Sequence, residues 1–402
     1  MKTKTILLAI FNSVVQYFNY AIFSLSALAL SNSFMPGDIA EQKLLNFFTL
    51  IIITVLARPI GSVIFGYIGD FFGRKPAVIF AGLTSSFGAI IVYFIPHFSE
   101  IGTFAAFLLI AARMIFLCGL SGEIDGVRLY VSESLSKKLQ NFGNGMVTFL
   151  TQLGALCASI SLYLLSNYEE SFRICFLIGG IVGIISSLFR LLLPESLEYV
   201  RSSDHPSQYF KITIMQIIAG QPALLLKTLI IAGSIGAYYQ YFIIFLPSIL
   251  KISYNLDLSQ ILPIAIFSYG FGGLFWGYIS DKIGGHKVVR LNLFLILVVL
   301  IFIFSSSADQ LKILIPLSAF IISGNSVPSQ IIVKESLNIG LRYRVFSLGH
   351  SLGSLLISTP TGLIATKLSI NYGYKFSILY PAIIVILSSI FISLLLKSRK
   401  QF

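Results

Sequence analysis

Apolar runs of about twenty residues, separated by short charged turns, recur along the whole of this chain. Such runs leave few folds open. A helix that crosses the roughly 30 Å hydrocarbon core of a bilayer needs about 20 apolar residues. Twelve stretches fit, centred near Val15, Val55, Gly88, Leu117, Gly154, Gly183, Gly236, Gly270, Leu297, Ile321, Ser354 and Ile386. The runs do not alternate apolar and polar residues, which excludes a β-barrel. Helices also close their own backbone hydrogen bonds where lipid offers no partner. Charged residues are 11% of the chain, against about 25% in a soluble domain. The chain reads as an all-α membrane protein of twelve transmembrane helices.

Two of the charged turns are near copies. GYIGDFFGRK, Gly66–Lys75, answers GYISDKIGGHK, Gly277–Lys287, with an aspartate (Asp70, Asp281) and a glycine three residues on (Gly73, Gly284). YVSESL at Tyr130–Leu135 answers IVKESL at Ile332–Leu337, so Glu133 matches Glu335. The offsets are 211 and 202 residues, which reads as a unit of roughly 200 residues duplicated in parallel. The halves are expected at 1–193 and 222–402, joined by a polar segment at 194–221. Within each turn the glycines let backbones approach, and the aspartate can sit against a helix N-terminus, where the dipole favours an anion. A single copy reads equally well as a tight turn with basic flanks, but two copies at matching places argue against that.

The net charge of +12 reports topology. With the N-terminus in the cytoplasm, 19 of the 28 Lys and Arg fall on the cytoplasmic side, six fall outside and three (Arg58, Arg113, Arg128) lie within spans. That is the positive-inside pattern. It places both termini in the cytoplasm and removes the case for a nucleic-acid partner. The first span follows MKTKT at once but lacks a small-residue cleavage site, so it is expected to be retained. Cys118, Cys157 and Cys175 sit in apolar runs as small core residues.

Polar residues inside the spans carry the functional reading. Gln16 and Asn19 in the first span bond to another helix by default, or else meet a solute. The fourth span carries Arg113, Glu123, Asp125 and Arg128. Glu123 is about 15 Å from Glu133 along a helix, so with Glu133 at the rim it falls near the midplane. Asp125 and Arg128, three apart, are expected to neutralise each other. Glu123 points about 200° away from Asp125, with no partner on its own helix. It is either a group that takes up and releases protons or one half of a bridge to Arg58 or Arg113. The matching position in the second half is Asn325, so proton coupling is expected in the first half alone. In the seventh span Tyr238, Tyr239, Gln240, Tyr241 and Phe242 offer ring faces and hydroxyls to a ligand, or equally serve as core and belt residues. His350 lies mid-span, and Trp276 reads as an interfacial anchor.

No phosphate-binding loop, nucleophile elbow or metal cluster is present in the sequence, so no enzyme activity and no cofactor are expected. Uphill movement of a solute would then draw on an ion gradient. A receptor would need a large extramembrane domain, which the chain lacks.

Four stretches carry a family resemblance: RPIGSVIFGYIGDFFGRK from Arg58, SGEIDG from Ser121, YYQYFIIFLPSIL from Tyr238, and the second GYISDKIGG. On these the chain resembles the major facilitator superfamily, and within it the metabolite:proton symporters that include proline/betaine and α-ketoglutarate permeases. The resemblance implies two pseudo-symmetric six-helix bundles in the bacterial inner membrane, acting as a monomer, and proton-coupled uptake of an osmolyte or carboxylate metabolite. It also implies that Asp70 and Arg74 take part in a cytoplasmic gate and that Glu123 lies on the central helix of the cavity. From the polar residues themselves, proton coupling is expected at Glu123, Asp125, Arg128 and Arg113, and solute contact at Gln16, Asn19, Tyr238, Tyr239, Gln240, Asn325 and His350. A cytoplasmic gate would involve Arg58, Gly66, Asp70, Gly73, Arg74, Glu133, Asp281, Glu335 and Arg342. Gln16 and Asn19 replace first-span acids usual in that family, which keeps open an uncoupled facilitator or exchanger. Gln140, Asn141, Gly285 and His286 depart from it too.

Overall fold

The computed structural model describes residues 3–37, 42–43, 46–47, 53–165, 168, 170–201, 216, 219, 222–248, 250 and 261–398. Most of the expected connecting segment, with His205 and Lys211, lies outside them. Among the described residues every regular element is helical. In chain order these are α1 (Thr3–Leu25), α2 (Ala27–Phe34), α3 (Ala57–Phe71), α4 (Arg74–Phe94), α5 (Thr103–Ser134), α6 (Gln140–Leu164) and α7 (Ser171–Phe189). There follow α8 (Pro222–Tyr239), α9 (Ile261–Ile283), α10 (Gly285–Ser305), α11 (Ala308–Glu335), α12 (Arg342–Gly353), α13 (Thr361–Tyr372) and α14 (Leu379–Ser398).

Ten described helices are long and apolar enough to cross a bilayer, where the sequence leads one to expect twelve. The difference falls at the second and eleventh spans. At the second span residues 48–52 lie outside the described ones, and Val55 stands in the turn before α3, whose described length is 15 residues. Ser354 opens a π-helical turn, Ser354–Ser358, that separates α12 from α13. Arg342, Arg344, Ser347, His350 and Ser351 dilute the apolar character there. A second π-helical turn, Gln240–Phe245, interrupts the seventh span. Such turns leave the regular hydrogen-bond ladder and often mark functional segments. The fourth span also departs from expectation. At 32 residues α5 is about 48 Å long, well beyond the hydrocarbon core. Glu133 therefore need not mark the membrane rim.

The chain divides into two compact units, Met1–Tyr130 with Leu150–Ser203, and Val131–Phe149 with Asp204–Phe402. Lipid supplies no hydrophobic drive between helices, so small residues that let backbones meet do the packing. In the first unit a Cβ on Gly61 would strike the Cys118 carbonyl, and one on Gly119 would strike the α4 backbone at Ala81 and Ser85. Phe23 stacks on Phe47 and meets Phe176 edge-on in the same core. In the second unit Gly273 lies against Gly145, and Gly353 against Leu229 and Gly233. Trp276 belongs to this interior: it is 8% exposed and donates its ring N–H to the Phe320 carbonyl at 3.0 Å. It is a core residue, not an interfacial anchor.

Gly119→Leu is expected to force α4 and α5 apart. Overpacking of this kind costs about 1–3 kcal/mol. Thermal unfolding of the purified protein should show a midpoint several degrees lower. Gly362→Ala is the control, since a Cβ there meets nothing within 4 Å, and its midpoint should not move.

Candidate functional site

The densest polar cluster of the first unit is built around Glu123, which is fully buried. Its carboxylate is not alone. Arg190, the residue that ends α7, reaches back and donates Nη1 to Oε2 at 2.6 Å and Nη2 to Oε1 at 2.7 Å. This fork is the strongest geometry open to the pair. Ser13 of α1 donates to the same carboxylate at 2.7 Å. Arg190 also donates to the carbonyls of Val78, at 2.9 Å, and Ala9. Those carbonyls lie only four residues into α4 and six into α1, or about 6–9 Å from the helix starts. Glu123 thus sits near one end of the unit. It is neither a midplane group nor partnered by Arg58 or Arg113.

A second layer of side chains extends this cluster. Gln16 donates Nε2 to Ser86 Oγ at 2.8 Å. The Asn12 side-chain amide donates to Ser186 Oγ at 2.7 Å. Gln16 therefore ties α1 to α4, while its Oε1 is left without a partner. Both side-chain polar atoms of Asn19 are buried and unpartnered.

Arg113 lies ten residues, or about 15 Å, deeper along α5. Its guanidinium stands over the rings of Phe23 at 3.9 Å, Tyr20 at 5.0 Å and Phe116 at 5.1 Å. Arg58 is within electrostatic range of Arg113, and Tyr17 within range of Arg58, Arg128 and Asp125. Arg58 opens α3, twelve residues and about 18 Å from Asp70 at the other end. The structure groups Arg58 with Arg113 and not with the gate residues.

The repeated turns share one geometry. Gly73 has φ +112° and Gly284 φ +97°, a region that side chains rarely adopt. Each ends one helix and starts the next, α3 to α4 and α9 to α10. In the first copy Arg74 Nη1 donates to Asp70 at 2.8 Å and to the Gly69 carbonyl at 2.6 Å, both side chains buried. The anion at the start of α4 is Glu195, which accepts from the backbone N–H of Arg74 at 3.0 Å and of Lys75 at 3.1 Å. A Cβ on Gly73 would collide with that carboxylate. Gly66 is buried one turn before Asp70. In the second copy Asp281 takes the expected role, accepting from the backbone N–H of Asn141 at 3.1 Å and of Phe142 at 2.8 Å at the start of α6. Nearby in the second unit, Arg342 donates to Glu133 at 2.9 Å. Glu335, Asp281, Lys137 and His286 line a polar cavity of about 230 Å³.

The sequence profile of the Major Facilitator Superfamily matches residues 8–336. The chain belongs to this superfamily. Among similar proteins, a candidate proline/betaine transporter of Staphylococcus aureus (strain COL) is 24% identical over 92% of this chain and 83% of its own length. The inner membrane metabolite transport protein YhjE of Escherichia coli (strain K12) is 24% identical over 100% of this chain and 95% of its own. A double-tryptophan mutant of XylE superposes with a TM-score of 0.78 at 13% identity, covering 97% of this chain and 94% of that one. The proton:xylose symporter XylE with a bound bromo-sugar gives 0.67 at 15% identity, covering 96% and 94%. The protein is a multi-pass membrane transporter of the facilitator fold and not an enzyme.

The solute candidates in the second unit of this facilitator are dispersed. Tyr238 is fully buried, and its hydroxyl bonds Ser388 at 2.9 Å, so it packs inside the unit. Tyr239 meets Tyr269 edge-to-face at 5.0 Å, and Gln240 opens the π-helical turn. Asn325 accepts from Ser329 at 3.2 Å and leaves its Nδ2 unpartnered. His350 lines a small cavity with Thr228 and Gln330. Sequence reasoning missed Arg190, Ser13 and Glu195. The only signal for Arg190 is an arginine that ends an apolar run.

Removing one partner of a buried pair leaves an uncompensated charge, at a cost of about 3–5 kcal/mol. Arg190→Met should therefore lower the unfolding midpoint of the facilitator by far more than any surface substitution. The Arg190→Met/Glu123→Met double variant should recover most of that loss. A double-mutant cycle by thermal unfolding reads both.

Proposed function

We propose that this facilitator is a secondary transporter that takes up a small organic solute by alternating access, coupled to protons. The observation that carries the coupling is the buried Glu123–Arg190 fork with Ser13 as third donor. Both carboxylate oxygens take a guanidinium N–H, the geometry that holds this pair in place. Protonation removes that attraction and frees Arg190, which also holds the carbonyls of Ala9 and Val78. One proton would then loosen the contact between α1, α4, α5 and α7 together, and a conformational equilibrium can be biased through it. Similar proteins named for proline/betaine or metabolite transport support a small organic solute. A similar proton symporter supports the coupling. Asp125 and Arg128 would assist, gating roles would fall to Asp70 and Arg74 in the first unit and to Asp281 and Arg342 in the second, and no cofactor would be required.

A second reading, an uncoupled facilitator or exchanger, is favoured by α1, which carries no acidic residue. An uptake screen in proteoliposomes with proline, betaine, dicarboxylates and amino acids, with and without a pH gradient, separates the two. Glu123→Gln should abolish accumulation driven by the gradient while sparing counterflow. Accumulation that survives the change at the wild-type level would make Glu123 structural. Counterflow without accumulation in the wild type would establish the second reading.

A further inference from the structure

We propose that Arg113 anchors the carboxylate group of the transported solute, an inference that rests on the transport reading. Arg113 is 5% exposed and, among the described residues, has neither a hydrogen-bond acceptor nor an ion pair. Its contacts are the three ring faces of Phe23, Tyr20 and Phe116. A ring face meets the flat side of a guanidinium and leaves its in-plane N–H donors free. Other arginines of this unit are answered differently. Arg190 has a carboxylate and two carbonyls, Arg74 a carboxylate and a carbonyl, and Arg173 the Glu170 carboxylate with the Tyr93 and Ile95 carbonyls.

The anion that would complete Arg113 is not supplied by the facing helix. The first acidic residue of the chain is Asp38, so α1 offers Tyr20 and Phe23 where a carboxylate could have stood. Arg58, within electrostatic range, adds to the positive potential at this place. Tyr17 and Tyr20 remain partly exposed, so the aromatic wall is open on one side. A carboxylate on a small solute matches the guanidinium fork with two parallel hydrogen bonds, and the rings would flank its organic body. A quaternary ammonium alone would be repelled.

The test uses the full chain, purified in detergent and reconstituted in proteoliposomes. The probes are glycine betaine and choline, which share a quaternary ammonium but differ in the carboxylate, together with α-ketoglutarate. Binding is read by thermal stabilisation and transport by tracer counterflow. The expected result is that betaine, α-ketoglutarate or both bind while choline does not, and that Arg113→Gln weakens the bound carboxylate about 10- to 100-fold. Arg113→Lys should restore only part of the affinity, because it keeps the charge and loses the fork. Should Arg113→Gln fail to insert, Tyr20→Glu provides an internal carboxylate that competes for the arginine. It should raise the unfolding midpoint and abolish carboxylate binding. Carboxylate affinity unchanged in Arg113→Gln or Tyr20→Glu overturns the proposal, as does a wild type that binds choline but no carboxylate. Carboxylates that bind without any solute being transported would sink the transport reading alone.

Discussion

A charge buried in this protein has no water to turn to, and the geometry of the first unit follows from that. Taking a guanidinium or a carboxylate out of water costs several kcal/mol even after relaxation. Arg190 offsets that cost with four acceptors drawn from three helices. Because its donors lie in one rigid plane, the three helices must meet it at fixed heights. The pair therefore sets the register of α1, α4 and α5 against the end of α7. Apolar packing through Gly61, Gly88 and Gly119 could be satisfied at neighbouring registers, since ridges and grooves repeat with each turn. The ion pair cannot.

The repeated turns answer the same demand at helix ends. A helix N-terminus leaves four N–H groups unbonded, and the two units satisfy theirs with carboxylates from distant positions in the chain. Glu195 serves α4 and Asp281 serves α6, the latter through two backbone N–H groups and the Asn141 side chain at 2.9 Å. The positive-φ glycine turns the chain sharply enough for the next helix to begin within a residue, and in the first copy its missing side chain is the space that Glu195 occupies. The motif is thus a local backbone requirement joined to a long-range electrostatic one.

That division explains what could be read from the sequence. The all-helical class, the duplication and the special glycines are local: apolar run length, repeat spacing and a glycine three residues after an aspartate are visible in one dimension. Pairing across helices is not. Glu123 looks isolated because helical geometry reports only neighbours three or four residues away, while its partner lies 67 residues on. Its depth is not legible for a related reason: at 32 residues the helix that carries it exceeds a bilayer's thickness, so Glu133 near its end is no fixed rim. Trp276 reads in sequence as an interfacial anchor and Tyr238 as either ligand contact or core, because an aromatic with a polar tip suits a membrane interface and a satisfied core alike. The structure resolves both in favour of the core through Phe320 and Ser388.

The two units have different interiors. Within its helices the first buries Arg113, Glu123, Asp125 and Arg128, all on the single helix α5. The second keeps its buried charges, Glu133, Lys334, Arg342 and Arg344, at helix ends, and fills the middle with neutral pairs such as Tyr238–Ser388, Tyr241–Ser377 and Tyr269–Ser326. Hydroxyl pairs between uncharged groups respond weakly to a change of local charge, whereas a buried ion pair changes by several kcal/mol when one partner is neutralised. A change of charge therefore has far more purchase on the first unit than on the second. Asn325, ten residues before Glu335 as Glu123 is before Glu133, keeps a polar group able to hydrogen-bond without carrying a charge.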